Sequence, residues 1–310
     1  MQIIKKYLRL IFFKIGGWEY IEKNLVLKGM ILLRQNKNIN KIKNLKDVEF
    51  SVFSQWGEDG IINWLTQKIP NLDKTFLEIG TQDYKESNTR FLLISQNWKG
   101  FILEGSSEHV RALKKQNAYW KYDLSAFNFF INKENINRIL KKIKIKNKIG
   151  LLSIDIDGND YWILKEINKL EPDIIICEYN AVFGNKDEIT VQYKNNFDRT
   201  KFHYSNLAFG ASLPAFINLL KKKNYYFIGT NLQKINAFFV SKEFKKEDFF
   251  QNIEIKSLDN YTNSNIRDSR DKNNDLNYLS GDKKFKEIEE CEVINLKENK
   301  NELVQLKDLM

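Results

Sequence analysis

Acidic residues and a glycine follow two short apolar runs, and their types suit the binding of a polar ligand. Thr75–Gly80 reads TFLEIG and Gly100–Glu104 reads GFILE. Gly80 allows the backbone to approach a ligand closely, and Glu78 can order the turn or pair with a cationic group. Glu104 can accept hydrogen bonds from both hydroxyls of a ribose. The alternative is a tight strand-to-helix turn followed by a solvated glutamate.

A second acidic group lies at the end of the apolar run Ile149–Asp155. Two carboxylates two residues apart share one face of a strand, so Asp155 and Asp157 can both line a cleft. One of them can act as a general base, or the group can hold Mg²⁺ together with Glu178. The alternative is that Asp157 and Asp160 cap the next helix.

Other polar residues are candidates because they lie near predicted strand ends or in irregular segments. Gln55, Asn88 and Asn180 can orient a cofactor or an acceptor. His203 lies in an irregular stretch before Gly210, where an acceptor loop is expected, although a single loop histidine is commonly just exposed. His109 falls within a predicted surface helix, and we expect it to take no part.

Apolar runs of strand length alternate with helical patterns from about residue 50 to residue 241. Such alternation predicts a parallel, doubly wound α/β sheet of the Rossmann-like type. The last two strands are separated by too few residues for a crossover, so the final strand is predicted to be antiparallel. In such sheets ligands bind at the carboxyl ends of the strands. The predicted strands are Thr75–Gly80, Gly100–Glu104, Ala118–Tyr122, Ile149–Asp155, Asp173–Glu178, Tyr225–Thr230 and Asn236–Ser241.

The first 48 residues are predicted to form a basic, amphipathic helical arm. They hold 11 Lys and Arg against 3 Asp and Glu, within a net charge of +10 for the whole chain. Such a helix can lie on an anionic membrane surface, or it can pack on the body or on a second subunit. Arg9 and Lys14 interrupt the apolar run and no cleavage site follows Gly17, so we expect no signal peptide. The apolar residues at helical spacing are Ile3, Ile4, Tyr7, Leu8, Ile11, Phe12 and Ile15.

Cysteine content and hydropathy limit the compartment. Cys177 and Cys291 are too few for a disulfide framework or an all-cysteine zinc site. No run of eighteen apolar residues occurs, which argues against a plain membrane-spanning helix. We therefore expect a cytoplasmic protein, peripheral to the inner face of the membrane if the arm binds there.

Composition divides the chain into three predicted regions. Residues 1–48 are the arm, and residues 49–242 are the α/β domain. Residues 243–310 form a polar extension, predicted to be partly mobile because Asp259–Lys284 is rich in Asn, Asp and Lys. A small accessory element is expected near Ile288–Leu296.

Six ordered blocks between about residue 50 and residue 241 resemble the FkbM-type methyltransferases. The resemblance implies the class I methyltransferase fold, S-adenosylmethionine as cofactor, and a hydroxyl acceptor, often on a sugar or a small metabolite. The blocks are Phe53–Ile62 (FSQWGEDGII), Phe76–Gly80 (FLEIG), Ser87–Thr89 (SNT), Phe101–Gly105 (FILEG), Ser153–Gly158 (SIDIDG) and Gly210–Leu213 (GASL).

The same resemblance implies roles for individual residues. Glu78 and Gly80 match the motif beside the methionine part of the cofactor, Glu104 matches the ribose-binding acid, and Asp123 occupies the region that meets the adenine. The family commonly has a glycine where this chain has Tyr84, so the shape of the first loop is the point of departure. The predicted cofactor-binding set is completed by Gln55, Thr81, Asp83, Asn88, Gly105 and Asp155.

Methyl transfer to a neutral hydroxyl requires a base that takes the proton. We rank Asp157 first, then His203 and Glu178, with Asp155 as a further catalytic candidate. The acceptor is expected to be a glycan or a small molecule, and the apolar arm is compatible with a homo-oligomer.

Three other functions are alternatives to O-methylation of a glycan or small molecule. A nicotinamide oxidoreductase requires G-x-G-x-x-G after the first strand, where only Gly80 is present. Base-modifying nucleic-acid methyltransferases resemble one another in an Asn/Asp-Pro-Pro-aromatic run after the fourth strand. This chain has Asp155-Ile-Asp-Gly there, and its predicted α/β domain is nearly neutral. No nucleic-acid partner is therefore expected. An inactive binding module on the same fold stays open.

Overall fold

The structure is a computed structural model that describes residues 17–244, 247, 250–255, 257–262, 264–297 and 301–309. The predicted helix of residues 3–15 lies outside these residues. None of the helices in the described part of the chain combines the length and the hydropathy that crossing a membrane requires.

A seven-stranded sheet forms the centre of the molecule. Its order is β3-β2-β1-β4-β5-β8-β7. The first five strands are mutually parallel, whereas β8 runs antiparallel to both β5 and β7. This confirms the predicted doubly wound sheet with an antiparallel final strand. The strands are β1 Thr75–Ile79, β2 Lys99–Glu104, β3 Leu124–Asn128, β4 Lys148–Ile154, β5 Glu171–Glu178, β7 Tyr225–Thr230 and β8 Asn236–Ser241.

Helices cover both faces of this sheet. The central strands are apolar at almost every position because both of their faces are buried. Local signals fix the helix starts: the hydroxyl of Ser106 accepts from the backbone of His109, and that of Ser212 accepts from Ala215. The helices are α1 Gly17–Lys37, α2 Glu58–Lys68, α3 Arg90–Gln96, α4 Ser107–Lys114, α5 Asn117–Lys121, α6 Ile136–Lys142, α7 Asp160–Glu166, α8 Arg199–Phe202, α9 Leu213–Lys222 and α10 Asp282–Ile288.

The prediction of the third strand is wrong. Residues 118–122 belong mainly to helix α5, and the third strand is β3, two residues later. The aromatic run misled the interpretation, because the side chain of Trp120 is 73% exposed on the helix and not buried in a sheet. Asp123 consequently precedes β3 and lies at the amino end of the strand, beside Lys99 at 3.3 Å.

A second, three-stranded sheet joins distant parts of the sequence. Strand β9, Glu292–Asn295, pairs with β6, Ile189–Thr190, and with β10, Glu302–Gln305. Together with α10 these strands enclose a small apolar cluster that includes Phe183 and Val293. The pairing brings the chain after residue 257 next to the irregular stretch that follows β5.

Helix α1 is attached to the body by its inner face. Gly29 is buried, and a methyl group there would lie 2.5 Å from Val52 and 2.8 Å from Phe91. The buried guanidinium of Arg90 lies 3.0 Å from the carboxylate of Glu22. These contacts fix α1 against α2 and α3.

Candidate active site

A cavity of about 1170 Å³ opens at the carboxyl ends of β1, β2, β4 and β5. This is the edge at which doubly wound sheets bind ligands. Asp123 and His203 are not among the residues that line it. The residues predicted from the sequence that do line it are Gln55, Glu78, Gly80, Thr81, Asp83, Asn88, Glu104, Gly105, Asp155, Asp157, Glu178 and Asn180.

Gly80 lies where β1 passes closest to the end of β4. Its φ is +81°, and a methyl group on it would lie 1.8 Å from the carbonyl oxygen of Asp155. Only glycine can satisfy both the backbone angle and this distance. Glycine is therefore required here by the close approach of the ends of β1 and β4, at a position that lines the cavity.

Glu78 organises the loop that closes one side of the cavity. Its buried carboxylate accepts hydrogen bonds from the hydroxyls of Ser87 and Thr89 and from the backbone N–H of Asn88. Burial raises the pKa of Glu78, although these hydrogen bonds oppose the shift. The side chain of Asn88 in turn donates to the hydroxyl of Ser153 on β4, at 3.1 Å. The SNT block is thus explained by its hydrogen bonds to β1 and β4.

Tyr84, the point of departure from the resemblance, has a backbone conformation that favours glycine. Its φ is +65°, in the left-handed region. The ring is buried, its hydroxyl lies 3.0 Å from that of Thr89, and Arg90 donates to its carbonyl oxygen at 3.0 Å. The strained angle is therefore accommodated by packing and by hydrogen bonds.

Replacing Tyr84 with glycine is expected to destabilise the protein by about 2–4 kcal/mol. Deleting a buried aromatic ring costs about 3–5 kcal/mol, and relief of the left-handed angle returns about 1 kcal/mol. Urea unfolding measures the difference. Tyr84→Phe is the control, since it removes only the bond to Thr89 and should cost about 1 kcal/mol. A Tyr84→Gly protein as stable as the parent would show that backbone strain outweighs the packing.

Glu104 connects the first loop to the second. Its Oε2 accepts from the backbone N–H of Thr81 and of Gln82, at 3.1 and 2.9 Å, and its Oε1 accepts from Ser106 at 2.8 Å. The carboxylate is almost fully buried at the end of β2. A fixed carboxylate here can accept hydrogen bonds from the hydroxyls of a ligand that enters between the loops.

The loop that carries Gln55 is held by two buried acids at the start of α2. Asp59 accepts from the backbone N–H groups of Val52, Phe53 and Ser54, at 2.7 to 2.8 Å. Burial raises the pKa of Asp59 to about 7. Glu58 accepts from the backbone N–H of Trp56 and from the side chains of Asn231 and Asn236. The first block thus shapes the rim of the cavity, where Gln55 and Trp56 face the ligand space.

Asp155 and Glu178 form a half-buried carboxyl pair at the ends of β4 and β5. Burial raises the pKa of each group well above its ordinary value. The charge of Asp157 raises the pKa of Asp155 further, and the charge of Asp155 raises that of Glu178 further. Among the described residues, Oε2 of Glu178 has no hydrogen-bond partner. Both carboxyls therefore hold a proton more readily than a free carboxyl does.

Asp157 is the most exposed member of the acidic group. Its φ is +56°, and its carboxylate lies 2.9 Å from Nη1 of Arg199. Asp160 behaves differently, because its buried carboxylate accepts from the backbone N–H groups of Ile156 and Gly158 at 2.9 Å. Asp160 is therefore the residue that orders the start of α7, whereas Asp157 faces the cavity as an ion pair.

His203 is held away from the cavity wall. Its Nδ1 lies 2.7 Å from the hydroxyl of Ser205, and its ring packs on Tyr204 with centroids 4.3 Å apart. Burial lowers the pKa of His203. The structure therefore does not bring this residue together with the carboxylates.

Arg199 is a cavity residue that sequence reasoning missed. Its guanidinium lies 3.8 Å from the ring centroid of Phe209 and donates to the carbonyl oxygen of Asn206 at 2.6 Å. Besides Asp157, it approaches Asp268 at 3.9 Å. No motif marks this arginine, because its partners are distant in the sequence.

The segment after residue 263 forms a second unforeseen part of the wall. The buried ammonium of Lys284 donates to the carbonyl oxygens of Ser264 and Ile266, and Arg267 donates to that of Tyr278 at 3.0 Å. Burial lowers the pKa of Lys284. These residues close the cavity on the side facing α8.

The polar groups that line the cavity bear on two kinds of ligand, a nucleoside cofactor and a metal ion. The backbone at Gly80 and the buried acceptor Glu104 fit a ligand with a ribose. Oxygens of Asp155, Asp157 and Glu178 lie within 4.8 Å of one another, which suits a hard cation. Arg199 already supplies positive charge to this group.

Comparisons with known proteins give only structural likenesses. No protein-family model and no curated protein matches the chain. The N-terminal domain of EvdMO1 with SAH bound is 9% identical, with a TM-score of 0.39, over 59% of this chain and 79% of that chain. The O-methyltransferase from Bacillus cereus in complex with SAH is 15% identical, with a TM-score of 0.39, over 67% and 88%. A S-adenosylmethionine-dependent methyltransferase from Clostridium acetobutylicum is 12% identical, with a TM-score of 0.38, over 59% and 90%.

Proposed function

We propose that this chain is an S-adenosylmethionine-dependent methyltransferase of the FkbM type that methylates a hydroxyl of a glycan or small metabolite. The observation that carries the proposal is the half-buried pair Asp155 and Glu178, which shares a cavity with Gly80 and Glu104. A ribose acceptor and a proton acceptor at the same edge of the sheet are what methyl transfer to a hydroxyl requires. The ordered FkbM-like blocks support the same assignment.

Three parts of the chain would hold the cofactor. The carboxylate of Glu104 would accept the ribose hydroxyls, and the backbone at Gly80 would face the methionine part. When bound, the cofactor supplies an activated methyl group on a sulfonium. Asn88, fixed to Ser153, would orient the ligand beside β4. These contacts position the reactants, which is the main contribution of the protein to an in-line transfer.

Glu178 is the proposed proton acceptor. Its carboxylate lines the cavity beside Asp155 and would take the proton of the acceptor hydroxyl. Asp157 ranks lower as the base than the sequence suggests, because its carboxylate is already paired with Arg199 at 2.9 Å. Arg199 and Asp157 would instead orient the acceptor. Mg²⁺ at the three carboxylates is a further part of the proposal, tested below by adding and removing it.

Replacing Glu104 with alanine is expected to weaken binding of S-adenosylhomocysteine by about 1.5–3 kcal/mol, or roughly 10- to 150-fold. The variant loses the ribose acceptor and also the three backbone hydrogen bonds that join the loops. Isothermal titration calorimetry measures the affinity, and thermal unfolding reports whether the loops have collapsed.

Glu108→Ala is the matched control, because Glu108 lies exposed in the first turn of α4 nearby. It should bind as the parent does. Failure of the folded parent to bind the ligand, with and without Mg²⁺, would contradict the proposed function and favour an inactive module.

A further inference from the structure

Helix α1 presents an apolar stripe that the body of the protein leaves uncovered. Tyr20, Leu27 and Ile31 are 70%, 58% and 49% exposed. Their spacing of seven and four residues places them on one face of the helix, opposite the buried Gly29. Exposed residues at such spacing form a continuous surface and not isolated apolar side chains.

Positive charge borders this stripe on both sides. Lys23 and Arg34 lie along one flank and Lys28 along the other, and all three are exposed. Within the described part of the chain, none of the three forms an ion pair with a carboxylate.

The two acidic residues of α1 are held by partners on the body of the protein. Glu22 lies 3.0 Å from the buried Arg90, and Glu19 accepts from the side chain of Asn117. The outward face of α1 is therefore apolar along its middle, and three basic residues outnumber the single exposed glutamate, Glu19, at its edges. This distribution of charge favours an anionic partner over an uncharged protein surface.

We propose that this face of α1 docks the protein on an anionic lipid bilayer. Tyr20, Leu27 and Ile31 would enter the headgroup region, and the three basic residues would contact anionic headgroups. The sixteen residues that precede α1 carry Lys5, Lys6, Arg9 and Lys14 among apolar residues, so the chain continues the same composition toward its start. An uncharged protein surface would not favour this border of positive charge, whereas a membrane rich in phosphatidylserine would.

Docking would involve the catalytic body and not a detached anchor. The inner face of α1 is fixed by Gly29 and by Arg90, which also donates to the carbonyl oxygen of Tyr84 in the first cofactor loop. The bilayer would therefore hold the cavity close to its surface, where glycans linked to lipids are found. This second step rests on the proposed function, whereas the docking itself does not.

The test measures sedimentation of the full chain with vesicles, without any cofactor. Vesicles of phosphatidylcholine with about 30% phosphatidylserine should bind the parent, and vesicles of phosphatidylcholine alone should bind it much less. Each basic residue near such a surface contributes roughly a fivefold gain in partitioning. The triple variant K23Q/K28Q/R34Q should therefore bind roughly 100-fold more weakly.

The matched control is K115Q/K169Q/K186Q, which removes the same charge from exposed lysines elsewhere and should bind as the parent does. A second variant, L27S/I31S, should also lose binding while unfolding at the parent's temperature. Equal loss by both triple variants would overturn the proposal, because general charge would then suffice. Absence of vesicle binding, together with a dimer that L27S/I31S converts to a monomer, would assign the stripe to a second copy instead.

Discussion

Replacing Glu178 with glutamine is expected to lower kcat by about 10²- to 10⁴-fold, the range typical of a lost general base. Glutamine keeps the shape of the side chain and cannot accept the proton of the acceptor hydroxyl. The affinity for S-adenosylhomocysteine should stay within about twofold, because Glu104 and Gly80 remain. Rates with a hydroxyl acceptor and calorimetry with the product together measure the two effects.

The same variant is expected to be more stable than the parent at neutral pH. Burial and the charges of Asp155 and Asp157 raise the pKa of Glu178, so the folded state resists its ionisation. A carboxyl with a raised pKa contributes stability below its unfolded pKa, and this contribution is lost as pH rises through the folded pKa. The melting temperature of the variant should therefore match that of the parent near ~pH 4 and exceed it by about 2–4 °C at neutral pH.

The rate of the parent should depend on the same titration, but it should change with pH in the opposite direction to stability. Because the proton acceptor must be ionised, kcat should rise as pH rises through the raised pKa values of the carboxyl pair. The gain in rate and the loss in stability then come from one group. This combination is typical of functional sites. The reaction needs charged groups that destabilise the folded state, and the rest of the fold supplies the stability.

The control for both measurements is Glu171→Gln, at the exposed start of the same strand. It makes the same change of charge and should alter neither the rate nor the melting temperature. If Glu178→Gln keeps the parent's rate, Glu178 is not the proton acceptor. If Mg²⁺ raises the melting temperature of the parent but not of the variant, the carboxylate acts as a cation ligand.

The sheet could be predicted because its strands carry a strong local signal. Central parallel strands are buried on both faces, so runs such as Ile149–Asp155 and Asp173–Glu178 are mostly apolar and carry their acidic residues at the ends. The antiparallel end followed from the short connection after Tyr225–Thr230, since too few residues intervene for a crossover. The third strand was misplaced because Tyr119 and Trp120 have strand-like composition but lie on a surface helix.

The candidate site could be predicted where residues follow strands directly. Glu78, Glu104, Asp155 and Glu178 each end a strand, and the topology alone brings such residues to one edge. Arg199 and Lys284 could not be found in this way. They reach the cavity through the pairing of β6 with β9, which joins residues about 100 positions apart and depends on tertiary contacts.

The backbone angle of Tyr84 is a third feature that could not be predicted from the sequence. A tyrosine gives no local signal for a left-handed backbone angle, since glycine and asparagine are the residues that favour it. Its angle of +65° is imposed by burial of the ring and by the hydrogen bonds to Thr89 and Arg90. The resemblance alone could identify the departure but could not say how the loop would adapt.

Replacing Gly80 with alanine is expected to destabilise the fold by about 3–5 kcal/mol and to abolish measurable cofactor binding. The left-handed angle of +81° costs about 1–2 kcal/mol for alanine, and the contact of 1.8 Å with the carbonyl oxygen of Asp155 costs about as much again or more. The clash is with backbone, so no rotamer can relieve it, and the ends of β1 and β4 must separate.

Gly210→Ala provides the matched comparison for this prediction. Gly210 also has a left-handed angle, of +60°, but a methyl group there would meet nothing within 4 Å. This variant should therefore lose only the conformational part, about 1–2 kcal/mol, and should bind S-adenosylhomocysteine as the parent does. Urea unfolding and calorimetry on both variants separate the two contributions. Equal losses in the two would mean that the backbone angle, and not the approach of β1 to Asp155, is what requires glycine at the first loop.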